Sequence, residues 1–206
     1  MACSIEKVDL TCLPPADEIL SQREADFFQT LRLPKRRMEW LGGRFALKRL
    51  IHSLTGAPLQ EIEALPHPSG KPILTVRGEA CPFAFSITHS HGWAAACVSR
   101  DERFVGIDLE KIEKRSSAWA ESFFHPSERK QTDETFLTAL WTQKEALVKL
   151  LGTGLSVNSY DVRCIDGQPF FFGAAQQAYM RLGSPRVLLQ TYELVPGMMF
   201  TLAHGQ

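Results

Sequence analysis

Two stretches of helical periodicity, residues 35–54 and 134–151, are each followed by short apolar runs separated by Gly and Pro. Helix first and strands after, twice over, predicts an α+β fold of two similar lobes joined near residues 100–106. The division falls at 1–104 and 105–206. A further helix is expected over 16–31, behind Pro14 and Pro15, with acids in its first turn. The second helix holds Met38, Leu41, Phe45, Leu50 and Ile51 and stops at Gly56. Strands are predicted at 72–76, 83–88, 93–99 and 104–112, with a turn at 89–92. The second half adds a helix at 117–124 and strands at 160–165, 169–172, 187–195 and 198–204. No residue-level repeat emerges from comparing the halves.

Composition narrows the classes. With 23 Lys plus Arg against 23 Asp plus Glu in 206 residues, the net charge is zero, which argues against a nucleic-acid coat. Apolar residues at 44% and charged residues at 22% suit a globular chain and exclude a disordered or collagen-like one. The 5 cysteines are odd in number and form no CxxC, so reduced thiols in a cytoplasmic setting are expected. Glu6, Lys7 and Asp9 break any signal-peptide core, and no apolar stretch is long enough for a membrane span.

Four places could carry chemistry. In VGIDLE, strand alternation puts Gly106, Asp108 and Glu110 on one face and Val105, Ile107 and Leu109 on the other. Carboxylates two residues apart stand about 7 Å apart at the backbone, so both can reach one hard cation. Gly106 is expected to leave room for a ligand. The plain alternative is a solvent face carrying two acids. In LWTQKEALVKLL, Glu145 and Lys149 sit one turn apart, either a surface pair or a carboxylate held among bulky neighbours. In ITHSHGW, His89 follows Thr88 near a strand end. A zinc site using His89, His91, Cys81 and Cys97 has an unusual spacing, and a turn-capping histidine is the plainer reading. Finally, Arg32, Lys35, Arg36, Arg37, Arg44, Lys48 and Arg49 are opposed within their run only by Glu39. They form a solvated helix face or a phosphate-binding patch, with Lys71 of GKP nearby. No Walker-type or GxGxxG loop is present.

Taken in order, GKP (70–72), FSITHS (85–90), VGIDLEKI (105–112) and WTQKEALVK (141–149) resemble the signature of the 4′-phosphopantetheinyl transferases, in their two-lobed monomeric Sfp-like form. The resemblance implies an α+β fold of two pseudo-symmetric lobes with the active site at their interface. It implies Mg²⁺-dependent transfer of the 4′-phosphopantetheine arm of coenzyme A, the co-substrate, to a serine of an apo acyl or peptidyl carrier protein. Adenosine 3′,5′-bisphosphate is the other product, and Mn²⁺ would serve as a substitute metal. Asp108, Glu110 and Glu145 match the family's metal ligands, and Asp108 also lies against the coenzyme. Glu145 and Lys149 match the catalytic pair. Thr88 and His89 match a phosphate-contacting pair, Lys71 a lysine near the adenine, and Lys35 and Arg44, more loosely, residues holding the 3′-phosphate. Neither nucleic acid nor membrane is an implied partner, and Phe123 and Phe124 are candidates for carrier contact. Ser86 and Thr88 depart from the Asn and Ser usual before the histidine, and Leu109 cannot bind metal. A hydrolase of coenzyme A using water as nucleophile, and a nucleic-acid module built on 32–49, are the competing readings.

Overall fold

The computed structural model describes residues 3–67 and 71–205, so Gly70 of the GKP segment lies outside the described residues. The chain is α+β and divides into two compact units, Met1–Asp101 and Glu102–Gln206.

The first unit runs β1 (Ser4–Asp9), α1 (Ala16–Ile19), α2 (Gln22–Thr30), α3 (Pro34–Thr55), β2 (Ile62–Leu65), β3 (Ile73–Val76), β4 (Glu79–Ala80), β5 (Ala84–Ser90) and β6 (Trp93–Ser99). Its main sheet has the order β1-β6-β5, and β2-β3-β4 form a small separate sheet. Helix α3 starts with Pro34 and ends at Gly56, whose φ of 72° closes the last turn. It lies on an alanine-rich strand: Ala94, Ala95 and Ala96 are fully buried on β6. Close approach depends on Gly42, where a Cβ would come within 2.1 Å of Leu10 Cδ2. Leu47, Ile51, Ile62, Phe85 and Val98 form the core beneath.

The second unit runs β7 (Phe104–Lys111), α4 (Ser117–Phe123), α5 (Glu134–Leu151), β8 (Val162–Ile165), β9 (Gln168–Phe171), α6 (Gly173–Arg181), β10 (Val187–Val195) and β11 (Met198–Gly205). Its sheet has the order β10-β11-β7, and β8-β9 form a hairpin. Each unit therefore opens with an edge strand that returns beside the last strand, under one long helix. The expected helix-then-strands order thus omits one element at the start of the first half. β1 escapes sequence reading because SIEKVD does not alternate cleanly between buried and exposed positions. Three more differences are local. The helix expected over 16–31 is two helices, because Ser21 starts α2 with a reciprocal capping box to Glu24. His89 belongs to β5, and the hairpin turn shrinks to His91 and Gly92, both at positive φ. Helix α6, rich in Ala and Gln, carries too weak an apolar stripe to be read in advance. Among the described residues no helix is long and apolar enough to cross a membrane.

The repeat missed in the sequence is present at residue level in the structure. In the first unit, buried Lys48 on α3 pairs with buried Glu24 and donates to Ile19 O (2.7 Å) and Leu59 O (3.0 Å). Glu24 also accepts the N–H of Ser21 and, through Oε1, that of Ala64 on β2 at 2.9 Å. In the second, buried Lys144 on α5 donates to Glu128 Oε2 (2.8 Å) and Phe123 O (2.9 Å). Glu128 accepts the N–H of His125 at 2.8 Å and that of Cys164 on β8 at 2.9 Å. In both units a helix lysine clips a carboxylate that also holds the first strand of the following hairpin. The chain spacing between partners differs, which hides the repeat in sequence.

Candidate active site

The site forms where α5 crosses β7. A Cβ at Gly106 would lie 2.0 Å from Ala146 O and 2.5 Å from Leu150 N, so the helix backbone rests directly on the strand. The room expected for a ligand beside Gly106 is taken by α5 itself. Gly106→Ala must push backbone apart, and we expect a stability loss of at least about 3 kcal/mol, read from the urea midpoint. A change below roughly 1 kcal/mol would show that the contact is not needed.

This close crossing sets the chemistry. Gly106, Asp108 and Glu110 share the β7 face that meets α5. Lys149 donates from Nζ to Asp108 Oδ1 at 2.8 Å and to Ile107 O at 2.9 Å. Asp108 is only 5% exposed, whereas Glu110 is half-buried near the strand end. Glu145 lies within the field of all three. Burial first, then the negative charges of Asp108 and Glu110, hold its carboxyl above the ordinary range, opposed by Lys149. Four residues marked from the sequence, Asp108, Glu110, Glu145 and Lys149, therefore meet.

Three coupled carboxylates are a hard-oxygen donor set, and a divalent cation would relieve their mutual repulsion. Among the described residues no three His, Cys, Asp or Glu side chains form a ready-made metal cage. An open set of this kind suits Mg²⁺, which takes one or two carboxylates and keeps waters and phosphate oxygens as its other ligands. Among the described residues no such cluster supports the zinc reading, and no disulfide joins the five cysteines.

In the first unit a second charged group forms. Arg36 Nη1 lies 2.9 Å from His89 Nε2, and His89 Nδ1 lies 3.7 Å from Glu39 Oε2. Lys35, largely exposed, reaches Glu39 at 3.8 Å. Arg36 was visible only as a member of the basic run and Glu39 only as its one opposing acid, and nothing in their spacing singled them out. Thr88 is buried and, as the neighbour of His89 on β5, faces the opposite side of the strand. Arg44 does not join this group. It is buried over Trp40 and donates from Nε and Nη2 to Ala64 O at 3.2 and 2.9 Å. Lys71 is exposed, its ammonium 5.6 Å from the Phe85 ring centre. Phe124 is fully buried, and Phe123 packs on Trp141 at 4.9 Å between ring centres, so both serve the core of their unit.

Comparison with known proteins follows the same residues. The family model of the 4′-phosphopantetheinyl transferase superfamily matches residues 104–186, which contain the β7–α5 crossing. The 4′-phosphopantetheinyl transferase psf-1 of Bacillus pumilus is 31% identical over 166 residues, covering 75% of this chain and 65% of the relative. Sfp of Bacillus subtilis strain 168 is 36% identical over 94 residues, 41% of each chain. A holo-[acyl-carrier-protein] synthase of a Geobacillus strain is 35% identical over 88 residues, 40% of this chain and 73% of that protein. The chain spans between 40% and 65% of the length of the first four curated relatives it matches. With the acids and lysine converging at the crossing that the family model covers, this chain belongs to the 4′-phosphopantetheinyl transferase superfamily.

Proposed function

We propose that this protein moves the 4′-phosphopantetheine arm of coenzyme A onto a serine of an apo carrier protein, releasing adenosine 3′,5′-bisphosphate. The observation that carries the reading is Asp108, buried under α5 and bound to Lys149, with Glu145 raised beside it. Asp108, Glu110 and Glu145 would hold Mg²⁺. When bound, that ion supplies charge neutralisation at the diphosphate, which is the main need of phosphoryl-type transfer. Glu145 accepts the proton leaving the serine Oγ; its raised carboxyl is nearer in basicity to that task than an exposed glutamate. The serine oxygen forms the new bond to the phosphorus bearing the pantetheine arm, and the bond from that phosphorus to the bridging oxygen breaks. Lys149 turns its ammonium from Asp108 toward the oxygen that carries the departing charge. In the first unit, Arg36 and His89, with Lys35, offer donors for a phosphate remote from the reaction, and Lys71 is assigned to the coenzyme by its place in the motifs. Binding energy from such a remote group supports catalysis by holding the reacting atoms in place. One chain carrying the same plan twice supports action as a monomer.

Incubation with coenzyme A, Mg²⁺ and an apo carrier should add one phosphopantetheine to the carrier serine, seen by intact-protein mass spectrometry. No gain with either acyl or peptidyl carriers, together with free phosphopantetheine released in their absence, would instead support the hydrolase.

A further inference from the structure

Asp108 stands in a row of three across the sheet. On β11 it faces Thr201, and Thr201 faces Thr191 on β10. Side chains directly opposite share one face, so Asp108, Thr201 and Thr191 all project toward α5. On either side of this row, β11 presents Ala203 and Met199.

The hydroxyls form a chain whose direction can be worked out. Thr142 on α5 donates its proton to Ala139 O at 2.9 Å. It must therefore accept from Thr201, 2.8 Å away. With that proton used, Thr201 accepts from Thr191 at 3.0 Å. Thr191 in turn accepts from Gln143 Nε2 at 3.2 Å. The chain leaves α5 at Gln143, crosses β10 and β11, and returns to α5 at Thr142. Each hydroxyl donates once and accepts once.

Thr142 and Thr201 are fully buried. Valine would fill the same space without a polar group to satisfy, so packing alone does not explain a hydroxyl at position 201. Thr142 lies one turn before Glu145 and two turns before Lys149, on nearly the same line of the helix. Whatever fixes Thr142 against β11 fixes the rotation of α5 over Asp108.

We propose that Thr201 is a positioning residue: its hydroxyl, relayed between Thr191 and Thr142, sets the rotation of α5 that holds Glu145 and Lys149 over Asp108. This rests on the transfer reading above, so the test separates the two. Thr201→Val should lower kcat for carrier loading roughly tenfold, with KM for coenzyme A within about twofold, as expected when reacting groups are displaced slightly. Thr201→Ser should restore kcat to within about twofold. Thr191→Val, at a half-buried position with little folding risk, should give a smaller kcat loss in the same direction. Without metal or coenzyme, amide exchange over 142–149 should quicken in Thr201→Val and stay at the wild-type rate in Thr201→Ser. Wild-type kcat and exchange in both valine variants, or failure of Thr201→Ser to restore either, overturns the positioning role and leaves the transfer reading intact. A wild-type chain that loads no carrier overturns the transfer reading, while the exchange result still decides whether the hydroxyl chain fixes α5.

Discussion

Asp108→Ala is expected to reduce carrier loading by at least about a thousandfold while the chain stays folded. Asp108 is the most buried of the three acids and the one held directly by Lys149, so its loss would remove one of the proposed metal ligands and release the lysine together. Charge stabilisation at a developing anion is commonly the largest single contribution to such a reaction, and losing one contributor costs about 10²–10³ in rate. Here one substitution disturbs two. The Lys149 side chain is 32% exposed, so the folding contribution of this pair is modest and the thermal midpoint should move little. The check is a loading time course by intact mass, with Mg²⁺ varied. A variant within about tenfold of wild type, at the same Mg²⁺ requirement, would remove Asp108 from the metal set. Asp108→Asn, which keeps the shape and loses the charge, should be nearly as impaired.

Lys144→Met should destabilise the fold by about 3–5 kcal/mol, the range for removing one partner of a buried ion pair. Glu128 would be left charged and nearly inaccessible, held by the N–H groups of His125 and Cys164 without an opposing charge from Lys144. Burial already holds the Lys144 ammonium below its ordinary range against the opposing pull of Glu128, so the two charges depend on each other. Adding Glu128→Gln to Lys144→Met should recover roughly half of the loss, because Gln removes the stranded charge and keeps an acceptor for Cys164 N. Lys48→Met should cost a similar amount in the first unit, where Glu24 plays the same part. Urea unfolding of the three variants decides this. Single-variant losses under about 1 kcal/mol would mean that the pairs contribute nothing to holding the hairpins.

Much of the site was legible because its parts are local. DLE on a strand and KEALVK on a helix each fix relative facing by periodicity alone, and the structure joins Asp108, Glu110, Glu145 and Lys149 as that facing requires. Most boundaries followed for the same reason. The long helices lie between Pro34 and Gly56 and between Asp133 and Gly152, residues whose backbone preferences start or stop a helix. The partners were not legible. Arg36 and Arg44 look alike in a basic run, yet one bonds His89 and the other turns inward to Ala64. Lys144 falls in one helical stripe with Leu140, Leu147 and Leu151, and nothing in that spacing names its partner, yet it is a buried clip on Glu128. Gly106 reads as space for a ligand, and a helix backbone fills it.

Sequence alone determined which side chains share a face, because strand and helix periods of 2.0 and 3.6 residues are properties of the local backbone. Only the tertiary structure decided which faces meet, that Glu24 and Glu128 are matching anchors, and that Thr201 stands opposite Asp108. Those depend on sheet register and helix approach, which are settled by long-range packing and by the need of every buried charge and hydroxyl for a partner.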